Sequence, residues 1–179
     1  HYDRMLAKLI SWAPNRAEAA ARLARALERA EIDGPLNNRD LLARVLRHPS
    51  FLAGETDTGF LDRDGSLATE PLVDVETERI HALAAALCAM AERRDAAGVL
   101  AFAPPGFRNN RSQPQRISFT GAHGQIDVAY DVLREGLAAE VGGEPLDGAT
   151  VRSLSPGAIA LELGDVTRRF GVRRSGELH

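Results

Sequence analysis

The sequence predicts an α+β fold in two parts: a short helical part, then a long helix wrapped by an antiparallel β-barrel. Three observations carry this. Residues 82–91, "ALAAALCAMA", have no polar side chain on any helical face, so something else must cover the helix they form. From residue 115 onward, apolar residues recur with period two, in short runs separated by turn residues. Between the parts lies "DRDGSLATEP", a polar, glycine-containing stretch that reads as a linker. The expected division is therefore residues 1–63, a linker over 64–73, and residues 74–179.

The elements follow in order. The chain opens "HYDRMLAKLISW", without an initiator methionine and running at once into an apolar stretch. This start reads as an interior piece of a larger enzyme subunit, and residues 5–12 read as a buried strand. Asn15 is placed to cap a helix, with Glu18 three residues on to bond back to it. That helix runs to about Ala30, with Ala19, Leu23, Ala26, Leu27 and Ala30 on one face. Gly34-Pro35 ends the pattern. A second helix spans Arg39 to Arg47 and stops before Pro49, which biases His48 away from helical backbone.

A helix of about twenty residues is expected from near Asp74. Strands then follow. Ile117 and Phe119 alternate with polar neighbours, and "GAHG" turns the chain. Ile126, Val128, Tyr130 and Val132 share one parity, with Gln125, Asp127 and Asp131 on the other. "REG" turns again before Leu137, Ala139 and Val141. A weaker strand near Val151 and the "SPG" turn lead to Ile159, Leu161 and Leu163. After Gly164-Asp165 come Val166, Phe170 and Val172. Regular short strands of this kind argue an antiparallel meander or barrel, curled around the apolar helix. Arg168 breaks the parity. It should face inward, so it is expected at a barrel mouth, beside a carboxylate, or at a bulge. The closing "SGELH" reads as a turn entering a further strand.

Composition excludes several classes. A length of 179 residues allows one domain or two small ones. A net charge of −3 gives no global attraction to nucleic acid or anionic lipid. One cysteine, Cys88, excludes an internal disulfide and a cysteine-based zinc cluster, and fits a reducing, cytoplasmic setting. No run approaches the ~20 apolar residues that span a bilayer. Nucleic acid and membrane are therefore not expected partners.

Little chemistry is visible. His48, His81 and His123 lack metal-ligand spacing. Asp3 and Lys8 read as strand-end charges, and Cys88 as inert core. Arg168, Arg169, Arg173 and Arg174 read as a solvated strand face or, more sharply, as a dock for an acidic partner. No phosphate loop, nucleophile elbow or carboxylate pair stands out. The most unusual stretch is "FAPPGFRNNRSQPQ", a long connection with arginines and two phenylalanines. From physics alone, an interface loop and a plain loop remain equally open.

Residues 2–62 carry a Y-D-x-M opening followed by x-K, an N-R helix start, a glycine turn, and an H-x-x-F-x-x-G stretch ending in D-T. In that order these motifs resemble the end of the biotin carboxylase component of biotin-dependent carboxylases. Asn37 stands where the family usually has threonine, and asparagine also caps the following helix. The rest resembles the middle domain of acyl-CoA carboxylase α-chains. There "GFRNNRSQPQ" is similar to the family's Gly-Trp-Arg-Asn…Pro-Gln stretch, with Phe107 in place of tryptophan. The resemblance implies a helix-in-barrel domain that docks biotin carboxylase onto the carboxyltransferase β-subunit within a hetero-oligomer. It implies a parent reaction in which ATP, bicarbonate and Mg or Mn carboxylate biotin on a carrier domain. The carboxyl group then passes to acetyl- or propionyl-CoA, or to a methylcrotonyl-CoA or longer acyl-CoA. It also implies that no catalytic or metal-binding residue lies within this chain. The ATP loop, metal-binding glutamates and catalytic arginine would lie before Tyr2, and the biotinylation motif after His179. What remains is the rim: Tyr2 and Asp3 at the substrate end, and Thr58 near the adenine. The docking loop, residues 102–113, would contribute Phe102, Phe107, Arg108, Asn109, Asn110, Arg111 and Gln113. The isolated piece is expected to be inactive.

Overall fold

The computed structural model describes residues 5–32, 37–63, 65–97, 113–133 and 136–174. The chain divides into two compact units, residues 1–72 and 73–179.

The first unit is helical. Helix α1 (Arg16–Arg29) starts as its cap predicts: the Glu18 amide donates to Asn15 Oδ1 at 2.9 Å, and Asn15 Nδ2 donates back to Glu18 Oε1 at 2.9 Å. Ala20, Ala24 and Leu27 form its buried line. Helix α2 (Arg39–Arg47) packs beside it, and Arg47 forks onto Glu28 with bonds of 2.8 and 2.9 Å. His48 leaves helical backbone before Pro49, and its Nδ1 accepts the Ser50 amide to cap α3 (Pro49–Ala53). Gly54, at φ +84°, closes α3 in the left-handed region that favours glycine. Two one-turn helices follow, α4 (Phe60–Arg63) and α5 (Ser66–Thr69). The stretch 64–73, expected as a linker, thus holds a helical turn whose Leu67 is buried and whose Leu67 carbonyl accepts from Arg44 Nε at 2.7 Å.

The expected strand at 5–12 does not form. These residues belong to no sheet, and Ile10 and Trp12 are 79% and 78% exposed. A strand needs a neighbour to satisfy its amides and carbonyls, and none of the described residues pairs with this run. It is held to α1 instead: Ser11 Oγ donates to the Ala19 carbonyl, and Arg22 Nη1 to the Trp12 carbonyl.

The second unit is a long helix with antiparallel sheets packed on it. Helix α6 (Val75–Asp95) is capped by Asp74, whose side chain accepts the Thr77 amide at 2.7 Å. Its buried residues, Ile80 to Leu83 to Met90, lie all round most of its girth, as the absence of a polar face requires. Strands β1 (Gln115–Gly121), β2 (Gly124–Leu133), β3 (Gly136–Val141) and β4 (Glu144–Pro145) form one sheet in that order. Strands β5 (Ala149–Ser155), β6 (Ala158–Leu163) and β7 (Val166–Gly171) form another. The core joins Leu83, Leu87 and Cys88 of α6 to Val128, Tyr130, Val141, Ile159 and Leu161.

Among the described residues the strands do not close into one barrel. The free edge of β3 is taken by β4, at Glu140↔Pro145 and Val141↔Glu144. Leu146 continues along that edge, its amide donating to the Ala139 carbonyl at 2.9 Å, and β5 lies near β3 without pairing to it. The bulge considered for Arg168 is absent from β7, whose register against β6 is unbroken. A register shift sits at Val151/Ser153 in β5 instead. Arg168 lies opposite the buried Leu161 yet is exposed, because the sheet is open at this edge.

Candidate functional site

Two hairpin turns are fastened to the first turns of α6. Glu78 accepts the amides of Ala122 and His123, and its Oε2 lies 2.7 Å from His123 Nδ1. Burial opposes ionisation of Glu78, but the His123 side chain and the two amides outweigh it and hold the carboxyl below its usual range. Gly121 is needed here, since a methyl at that position would run into the Glu78 carboxylate. One residue on, Arg79 donates to the Val141 carbonyl at 3.0 Å and to the Glu144 carbonyl at 3.1 Å, and pairs with the carboxylates of Glu76 and Glu144. The turn at His123, exposed as it is, therefore serves as an anchor point.

The other end of α6 carries a second cluster of contacts. Tyr130, nearly inaccessible, donates to Gln115 Oε1 at 3.2 Å and receives Arg93 Nη2 at 3.4 Å. Gln115 Nε2 also reaches Met90 Sδ at 3.9 Å. Beside them opens a cleft of about 400 Å³, lined by Met90, Arg94, Ala97, Leu154, Ser155 and Pro156. Of the expected docking loop, residues 102–113, Gln113 alone is among the described residues, two positions before Gln115, while Ala97 lies on the cleft wall. Gln113 is exposed in a bend. Phe102, Phe107, Arg108, Asn109, Asn110 and Arg111 lie outside the described residues, as do Tyr2 and Asp3.

Thr58 is exposed in a turn. The turn is held by Asp57, which accepts the Gly59 amide at 3.0 Å and both bonds of Arg63 Nη1, at 2.7 and 2.8 Å. The Arg63 side chain holds the Asp57 carboxyl below its ordinary value. Thr58 thus offers one hydroxyl on a fixed turn. Among the described residues no group of three or more His, Cys, Asp or Glu is placed to hold a metal ion. Cys88 is fully buried, and burial raises its thiol to about 11, so it carries no nucleophile at neutral pH. His81 is used structurally, its ring set edge-on to Phe170 at 5.7 Å. No described helix is long and apolar enough to cross a membrane.

Sequence reasoning missed Glu78, Arg79 and the cleft residues Arg94, Leu154 and Ser155. An acidic first turn suits any helix N-terminus, so nothing local in the sequence distinguishes Glu78 as a partner of a turn forty-five positions away.

The arrangement is that of a helix-centred packing module following a helical unit, with no assembled reaction centre among the described residues. Comparison with known proteins gives the class. The model of the biotin carboxylase C-terminal domain matches residues 1–63, and that of the methylcrotonyl-CoA carboxylase α-subunit BT domain matches residues 78–179. The chain belongs to the α-subunits of biotin-dependent carboxylases. Its relatives include the propionyl-CoA carboxylase α chain of Ruegeria pomeroyi, 36% identical over 52% of this chain and 14% of the relative. A biotin carboxylase of Halalkalibacterium halodurans is 50% identical over 34% of this chain and 13% of its own length. The mitochondrial methylcrotonoyl-CoA carboxylase subunit α of Dictyostelium discoideum is 28% identical over 79% of this chain and 21% of the relative. The chain therefore spans about a fifth or less of the length of these relatives.

Proposed function

We propose that this chain is the part of an acyl-CoA carboxylase α-subunit that joins biotin carboxylase to the carboxyltransferase β-subunit. Residues 1–63 complete the carboxylase body, 64–73 lead out of it, and 74–179 form the docking domain. One observation carries the reading: two family matches succeed each other along the chain, and the second falls on the unit built around α6. The cleft beside Met90 and Leu154, and the contact of Met90 with Gln115 two residues after Gln113, support docking at that end of the helix. Closure of the two sheets into a full barrel belongs to the same proposal.

In the parent enzyme, ATP, bicarbonate and Mg or Mn carboxylate biotin on a carrier domain, in the cytoplasm. The acceptor is acetyl- or propionyl-CoA. A methylcrotonyl-CoA acceptor is the second reading, favoured by the description of the family matching 78–179. The sites for ATP, metal and biotin lie mainly outside this chain, with Tyr2, Asp3 and Thr58 at their rim.

Binding measured by calorimetry against purified propionyl- and methylcrotonyl-type carboxyltransferase β-subunits tests this. The chain is expected to bind one of them without any bicarbonate-dependent ATP hydrolysis of its own. Arg108→Ala should weaken binding about tenfold or more and leave the melting temperature unchanged. Binding to neither subunit, or ATP hydrolysis by the chain alone, refutes the assignment.

A further inference from the structure

Residues 5–12 keep the composition of a strand without a sheet to belong to. Over residues 9–12 their exposure alternates. Leu9 is 44% exposed and Ser11 bonds to the Ala19 carbonyl of α1, whereas Ile10 and Trp12 are 79% and 78% exposed. Leu6, of the same parity as Ile10 and Trp12, is 67% exposed. One side of the run therefore rests on α1, and the other turns a branched aliphatic and an indole outward. Two apolar grooves border the run. One, of about 830 Å³, lies between it and Leu27, Ile32 and Leu42; the other, of about 280 Å³, lies between it and Leu23, Leu46 and Phe51. Ile32 and Leu42 are themselves 42% and 39% exposed.

An apolar face of this extent marks a binding surface, and a strand outside any ladder is a template for a neighbouring strand. Lys8 is the one charged residue in the run, so its counterpart is an apolar sheet edge, not a charged surface. The comparisons say what carries that edge. Residues 1–63 match the biotin carboxylase C-terminal domain, and the relative that is itself a biotin carboxylase is matched over 13% of its length. Resting on the function proposed above, we propose that residues 5–12, with Ile32 and Leu42, are the seam on which the rest of a biotin carboxylase body closes. The run becomes a strand only there, pairing with an edge strand of that body and burying Leu6, Ile10 and Trp12 against it.

The test co-expresses this chain with the Halalkalibacterium halodurans biotin carboxylase from which the 60 matching residues have been removed. The two are expected to co-purify. Amides of residues 6–12 should exchange as unpaired amides in the free chain at every concentration, and about tenfold or more slowly in the complex. Ile10→Asp should abolish co-purification and leave the melting temperature of the free chain unchanged, since the side chain it replaces is exposed; Ile10→Val should still co-purify. Failure to co-purify, or a complex in which 6–12 exchange as they do in the free chain, overturns the proposal. So does protection that rises with concentration in the free chain, which would make a second copy the occupant. If the carboxyltransferase β-subunit still binds in these cases, the seam alone falls; if it does not, the docking function falls with it.

Discussion

Leu87→Asp tests the enclosure of α6 most directly. Leu87 is 0% exposed and belongs to the same cluster as Val128, Tyr130, Val141 and Leu161. Removing most of its side chain costs about 2–5 kcal/mol, as Leu87→Ala alone would show. The aspartate adds a carboxyl group in a site where, among the described residues, no buried charged or polar residue is present to receive it. To stay neutral at pH 7 its pKa must rise from about 4 to above 7, which costs roughly 4 kcal/mol. The two together are about 6–9 kcal/mol, against a total of about 5–15 kcal/mol for a domain of this kind. The second unit should therefore be largely unfolded at 25 °C, while Leu87→Ala should fold and melt lower. Urea titration followed by near-ultraviolet circular dichroism reads both. If Leu87→Asp unfolds at the same urea concentration as the parent, α6 is not enclosed and the packing described here is wrong.

The remaining predictions concern caps and latches. The folded-state pKa of Glu78 is lowered, so its contribution is present above the unfolded value of 4.5 and fades as pH falls through the lower folded value. Glu78→Gln should lower the melting temperature at pH 7 and flatten its fall below pH 4.5, and an unchanged acid slope would contradict the latch. Gly121→Ala should act like Glu78→Gln, since the added methyl displaces the same carboxylate; a double variant no worse than either single one, by thermal melts, is the expected sign of a shared contact. Asn15→Ala removes the α1 cap and should cost the first unit about 0.5–2 kcal/mol in a denaturant titration.

The sequence made the local elements legible where a single period ruled. Ile126, Val128 and Tyr130 declare their face because that side of β2 is buried while Gln125 and Asp127 on the other are exposed, though Ala129 on that second side is buried as well. The α6 reading succeeded for the opposite reason: no wet side exists in its middle. Asn15 with Glu18 and His48 before Pro49 are contacts within a few residues, so their effect on the backbone is visible in the string. What was not legible depends on distant partners. Residues 5–12 have strand composition, but pairing decides whether a strand forms. The split into two sheets follows from β4 occupying the edge of β3, a two-residue pairing too short to leave a periodic trace. The register shift beside Arg152 likewise moves no turn residue. The latches of Glu78 and Arg79 join positions more than forty apart and have no signature in either stretch.

The alanines of α6 have a consequence for spacing. Ala82, Ala84 and Ala86 are at most 5% exposed, so along these lines only methyl groups separate the helix backbone from what covers it. Close approach of this kind sets the bore of the domain by main-chain thickness, and the large leucines then fill the corners that remain. The interior is thus gauged from its axis outward, and sequence drift in the strands can alter the outer surface without changing the distance at which that surface stands.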